Sequence, residues 1–128
     1  MRILLDTHAF LWWMEGNPRL VTTGRRAVAA DENDILVSAA SAWEITTKHR
    51  LGRLPEADKL AGDIRGAIAS QDFAELPVSV PDAERAGRLT GPVQDPVDRM
   101  LIGQALSYEL ALVSNEKAFD WYGIRRLW

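Results

Sequence analysis

Cysteine is absent from this sequence, which excludes disulfide bridges and every zinc or iron–sulfur site built on thiolates. Histidine is scarce as well: His8 and His49 are the only two and lie far apart in the chain, so a bound metal would be expected on oxygen ligands. No apolar run approaches the roughly 18 residues of a membrane-spanning helix. Asp6 interrupts the opening Ile3-Leu4-Leu5 where a secretion signal needs an unbroken apolar stretch. The expected setting is therefore the cytoplasm, without membrane contact. An excess of positive charge is also missing. A net charge of −3 excludes a protein that coats nucleic acid by bulk electrostatics, because that mode needs many cations to displace condensed counterions.

What is present suits one globular domain spanning residues 1–128, with 47% hydrophobic and 26% charged residues and no internal repeat, linker or low-complexity segment. Ile3-Leu4-Leu5, Ile35-Leu36-Val37 and Ala111-Leu112-Val113 read as buried strands, because each is a short continuous apolar run. A short edge strand around Pro77 within 73–80 and a last strand over 124–128 complete the set. Between them the pattern predicts helices over 9–14, from Thr22 or Thr23 toward Asp31, from Ser38 or Ser41 to Leu51, over 57–68 on one apolar face, from Pro81-Asp82 toward Leu89, and from Asp95-Pro96 onward. Lys117 to Trp121 adds a short helix. Apolar strands alternating with helices imply a three-layer α/β/α fold around a central, mainly parallel sheet.

In such sheets, sites form beyond the carboxyl ends of the strands, and the residues found there are mostly acidic. Asp6 ends the first strand, Ser114, Asn115 and Glu116 follow the third, Glu44 lies one turn into the helix after the second, and Asp98 lies in the first turn of the helix preceding the third. Each has an ordinary alternative. Asp6 suits an N-cap, Glu116 a first-turn acid, and Glu44 a surface pair with Lys48; for Asp95 capping is the favoured role, with Pro96 at the first helical position. Their conjunction points elsewhere, because like charges a few ångströms apart repel unless a cation occupies the cluster. Hard oxygen ligands suit Mg²⁺ or Mn²⁺, and such ions activate water against a phosphate. A phosphodiester hydrolase is the expected class. Basic residues would then act locally, as in the cluster Lys48, His49, Arg50 and Arg53 or the cluster Arg19, Arg25 and Arg26.

Four ordered segments carry a resemblance. Leu4-Leu5-Asp6-Thr7-His8-Ala9-Phe10-Leu11-Trp12, Ser41-Ala42-Trp43-Glu44-Ile45 with Lys48 and Leu51-Gly52-Arg53-Leu54, Asp95-Pro96-Val97-Asp98-Arg99-Met100-Leu101-Ile102 with Gln104-Ala105, and Val113-Ser114-Asn115-Glu116 with Ala118-Phe119 together resemble the PIN-domain nucleases. The closest likeness is to the VapC toxins of bacterial toxin–antitoxin pairs, and it runs the length of the chain. It implies a Mg²⁺- or Mn²⁺-dependent endoribonuclease with acidic residues at Asp6, Glu44, Asp98 and Glu116, of which Asp6, Asp98 and Glu44 hold metal. Thr7 and Ser114 fall on the family's supporting hydroxyls, Asp95 supports the third motif, and Lys48, Arg50 and Arg53 are the expected RNA contacts. Two departures stand out: the fourth acid is more often aspartate than glutamate, and Val93-Gln94 and Val97 replace the usual His-Arg and phenylalanine around Asp95. The resemblance further implies an RNA substrate and a small antitoxin that silences the enzyme, here expected to place an arginine in the acidic pocket. A homodimer is expected from the family and from the apolar surplus of Trp12, Trp13, Trp43, Trp121 and Trp128. A structure-specific DNA nuclease on the same acids and a non-catalytic interaction protein of the same fold are the alternatives. A receiver-like signalling module would want paired acids at the first strand, where only Asp6 is found.

Overall fold

The computed structural model describes residues 1–128 and contains a five-stranded sheet, all of whose pairings are parallel: β1 (Arg2–Leu5), β2 (Asp34–Ser38), β3 (Ala74–Leu76), β4 (Ala111–Val113) and β5 (Arg126–Leu127), in the order β3-β2-β1-β4-β5. Helices cover both faces: α1 (Thr7–Glu15), α2 (Thr22–Ala29), α3 (Ala39–Arg50), α4 (Asp58–Gly62), α5 (Ile64–Ser70), α6 (Val80–Arg88) and α7 (Pro96–Tyr108), with 3₁₀ turns at Pro55–Ala57 and Lys117–Tyr122. The expected three-layer α/β/α architecture is the one observed.

The strands are apolar on both sides because both sides are covered. Ile3 and Leu5 point into one core with Phe10, Val37, Ile45 and Val113, whereas Leu4 points into the other with Leu101, Ile102, Leu112 and Phe119. That is the period of two along a strand expressed as two cores. Strand order proceeds outward from β1 in both directions, to β2 and β3 on one side and to β4 and β5 on the other. The switch point therefore lies at the carboxyl ends of β1 and β4, where a crevice opens.

Several local expectations are corrected. Val21, with no side-chain cap, precedes α2 in place of a capping Thr22 or Thr23. The apolar face over 57–68 is divided among a 3₁₀ turn, α4 and α5, because Asp63 leaves helical geometry and its carboxylate accepts the Gly66 N–H at 2.9 Å, starting a new helix. β3 is only three residues long and ends before Pro77. α6 begins at Val80 under a reciprocal capping box between Ser79 and Asp82, one residue earlier than Pro81. Of the five tryptophans only Trp43 and Trp121 are exposed; Trp12, Trp13 and Trp128 pack against the core, which shrinks the apolar surplus expected to drive dimerisation.

A buried polar chain ties the two helical layers together. The Ser38 hydroxyl donates to Gln104 Oε1 at 2.7 Å, and the Gln104 amide donates to Pro77 O at 3.0 Å and to Asp82 Oδ2 at 3.1 Å. Tyr108 donates to the other Asp82 oxygen at 2.8 Å. Burial opposes the Asp82 charge, but the Ser79 amide, Tyr108 and Gln104 outweigh it and hold the carboxyl below its ordinary pKa. No buried side-chain polar atom lacks a partner.

Candidate active site

Each acidic residue arrives at the β1/β4 crevice by a separate local route. Asp6 follows β1 directly and caps α1, its carboxylate accepting the Ala9 N–H at 2.7 Å. Its own N–H donates to Val113 O at 3.1 Å, which locks it to the end of β4. Ser38 caps α3 by accepting the Ala40 N–H at 3.1 Å, and Glu44 follows one and a half turns later. Asp95 caps α7 and Pro96 occupies its first turn, which places Asp98 at the third helical position. Glu116 follows β4 and starts the second 3₁₀ turn without capping it.

Asp6, Thr7, His8, Glu44, Lys48, Asp95, Asp98 and Glu116 line a single cleft of about 140 Å³ with no apolar side chain in its wall. All four predicted acids and Asp95 are therefore brought together. Thr7 is buried and donates to Ser41 at 3.0 Å, linking α1 to α3. Ser114 is buried behind the cleft and accepts the Glu116 N–H at 3.0 Å. Capping and the cleft are not alternatives here, because Asp6 and Asp95 do both.

The electrostatics are those of a crowded anion. Asp98 is pushed up to about 7, first by burial and then by the charges of Asp95, Glu44, Asp6 and Glu116. Asp6 is also raised, by burial above all, against the stabilising hydrogen bonds of Ser114 and Ala9 and the nearby His8, with Glu116 adding to the rise. Lys48 supplies the internal counter-charge, its ammonium 3.0 Å from Glu44. The surface pair weighed for Glu44 thus exists, inside the cleft.

Of the expected RNA contacts, Lys48 lines the cleft, whereas Arg50 and Arg53 lie outside it. Arg50 lies two positions beyond Lys48, about 200° round the helix, and so faces away. His8, which the sequence placed in no role, is exposed and lines the cleft beside Thr7; the available signal is its place directly after Asp6-Thr7 at a strand end.

The donor set fits Mg²⁺ or Mn²⁺ in kind, being carboxylate oxygens packed closely enough to oppose one another's ionisation. No three Asp, Glu or His side chains form a ready-made cage. An ion would therefore take one or two of these carboxylates directly and keep water on its remaining positions, as Mg²⁺ commonly does.

The PIN domain family model matches residues 3–124. Ribonuclease VapC16 of Mycobacterium tuberculosis is 38% identical over 76 residues, covering 56% of this chain and 52% of that protein, so the match spans about half the relative's length. Two solved structures share the fold: VapBC2 from Rickettsia felis bound to a promoter DNA fragment (TM-score 0.71, 16% identity, 99% of both chains) and Mycobacterium tuberculosis VapC20, a Sarcin-Ricin loop cleaving toxin (TM-score 0.69, 19% identity, 95% of both chains). A toxin–antitoxin complex from Klebsiella pneumoniae aligns at TM-score 0.61, with 19% identity over 91% of this chain and 89% of that one.

Proposed function

Because this chain belongs to the PIN domain family, we propose that it is a divalent-metal-dependent endoribonuclease, the toxin of a bacterial toxin–antitoxin pair, acting in the cytoplasm. The observation that carries this reading is the convergence of Asp6, Glu44, Asp98 and Glu116, from four separate segments, on one cleft at the strand-order switch. Asp6 and Asp98 are the proposed direct metal ligands. Glu44, balanced by Lys48, and Glu116, at the exposed rim, hold metal-bound water or complete the shell. Mg²⁺ or Mn²⁺ in such a site polarises the scissile phosphate and lowers the pKa of a bound water.

The chain's own residues set the geometry. Thr7 and Ser41 brace α1 against α3, Ser114 steadies Asp6 from behind, and Asp95 fixes the first turn of α7. Lys48 lines the same cleft, where its ammonium would meet a substrate phosphate and Glu44 would be available to a bound ion. A small antitoxin is the proposed partner, supported by structural relatives that are a VapBC protein and a toxin–antitoxin complex, and an arginine fork suits a cleft crowded with carboxylates. Pairing of two copies is proposed on the exposed Trp43 and Trp121.

The test compares single-stranded RNA with DNA of matched sequence in Mn²⁺, in Mg²⁺ and in EDTA. Metal-dependent cutting of RNA that disappears in the Asp98→Asn variant is the expected result. Cutting of DNA with RNA left intact would turn the reading to a DNA nuclease, and metal binding with neither substrate cut would leave a non-catalytic interaction protein.

A further inference from the structure

The acidic cleft does not end at His8. On α1, His8, Leu11, Trp12 and Glu15 stand at spacings of three, four and seven residues and therefore share one helix face. These four side chains, with Asn17, Arg19, Leu54 and Glu56, line a second cleft of about 400 Å³. His8 belongs to both clefts, so a strand with its phosphate among the acids has its neighbouring nucleotide at this second opening.

The lining suits a nucleobase better than a phosphate. His8 and Trp12 lie with ring centroids 5.5 Å apart, and Trp12 is backed by Trp128 at 5.9 Å. The Arg19 guanidinium sits 5.9 Å from the Trp12 ring centre, completing a wall of π surfaces and one planar cation on which a base can stack. The remaining polar groups are Asn17 and the carboxylates of Glu15 and Glu56. Glu15 accepts the Asn17 amide at 3.3 Å, whereas Glu56 takes part in none of the ion pairs. Both carboxylates repel a phosphate, and that of Glu56 is open to N–H donors. Among the RNA bases guanine presents adjacent N1–H and N2–H donors on one edge, the pattern that a carboxylate fork satisfies.

We propose that this cleft is a base-recognition subsite that holds an unpaired guanine next to the scissile phosphate, with His8 and Trp12 as the stacking wall and Glu56 as the main hydrogen-bond acceptor. The assignment rests on the ribonuclease reading above. It gives the enzyme a sequence preference at one nucleotide, in a chain too acidic overall to grip RNA by charge alone.

The test uses fluorescein-labelled RNA hexamers, uridine throughout except for a single guanine, adenine or cytosine, titrated with the full chain in Ca²⁺ and followed by anisotropy, with each RNA checked for integrity afterwards. The guanine hexamer should bind about tenfold tighter than the adenine one. Glu56→Gln should bring that ratio close to one by weakening the guanine hexamer relative to the adenine one. Loss of the ring in His8→Ala should weaken the guanine hexamer by about fivefold or more, the scale of a lost stacking contact. Glu56 is exposed on its turn, so its variant folds even if His8→Ala does not. Equal affinity for all three hexamers, or a guanine preference untouched by Glu56→Gln, overturns the subsite and leaves the ribonuclease reading standing. Failure of every hexamer to bind overturns both.

Discussion

The carboxylate of Asp95 accepts the backbone N–H of Asp98 at 2.9 Å, so the residue that caps α7 also fixes the position of an acid whose pKa the cleft pushes up to about 7. The same carboxylate is, after burial, the largest cause of the rise in the Asp98 pKa. Asp95 thus stabilises the helix and destabilises the Asp98 charge at once.

Replacing Asp95 by alanine should therefore have a pH-dependent cost. Loss of an N-cap costs about 0.5–2 kcal/mol. At pH 5, where Asp98 keeps its proton in the folded state, that full cost should appear in urea unfolding. At pH 8, where Asp98 is charged, removing a neighbouring carboxylate returns part of it, so the variant should lose less stability than at pH 5. RNA cleavage should fall without vanishing, since Asp95 is not a proposed metal ligand. An equal loss at both pH values would show that the two aspartates do not interact.

Lys48 competes with a metal for Glu44. Its ammonium is 3.0 Å from a Glu44 oxygen on the next helical turn, a contact worth only a few tenths of a kcal/mol. Lys48→Ala should leave thermal stability nearly unchanged, tighten Mn²⁺ binding a few-fold in calorimetry, and weaken RNA affinity. Weaker Mn²⁺ binding in this variant would contradict the competition.

Much of this arrangement was legible in the sequence because it depends on local rules. Continuous apolar runs pointed to the buried parallel strands, and Asp95-Pro96 marks a helix start in any context. The four acids were legible because each follows a strand end or opens a helix, positions that a parallel sheet directs to one edge. Other features rest on tertiary contacts that no spacing announces. The sequence offers Asp82 only as part of the Pro81-Asp82 helix start; it is buried because Gln104 and Tyr108 arrive from α7 to bond it. The basic cluster beside Glu44 read as a unit, but helical rotation admits Lys48 to the cleft and turns Arg50 away. The break at Asp63 depended on a side chain competing with the helix for the Gly66 amide.

Gln104 offers a test of the buried chain that spans the layers. Gln104→Leu leaves the Ser38 hydroxyl without an acceptor and takes a donor from Pro77 O and from Asp82 Oδ2, which keeps the Ser79 N–H; this should cost about 1–3 kcal/mol. Asp82 adds an acid-side signature. Its folded pKa lies below the unfolded value, so its stabilisation is complete above the ordinary aspartate pKa and fades as pH falls through the depressed one. Asp82→Asn should consequently flatten the stability profile below about pH 4 relative to the parent chain. A parallel profile in that window would place the acid dependence elsewhere.

The charge cluster itself is tested by Asp98→Asn. In the folded protein Asp98 titrates at about 7, against about 3.9 for an unperturbed aspartate. Between those values the native state binds the proton and the unfolded state does not, so stability falls as pH rises through that window and stays low above it. Asparagine carries no charge at any pH and should remove this slope. In EDTA at pH 8 the variant should therefore be more stable than the parent. Partial solvation of the side chain and screening by salt reduce the gain to about 1–2 kcal/mol. Below pH 4 the two proteins should be equally stable, because both then carry a neutral group. Mn²⁺ should reverse the order, since the parent gains binding energy that the variant cannot, and RNA cleavage should disappear with the lost ligand. Stability and activity moving in opposite directions is the signature of a site built to hold a cation. A metal-free variant less stable than its parent at pH 8 would show instead that Asp98 serves the start of α7.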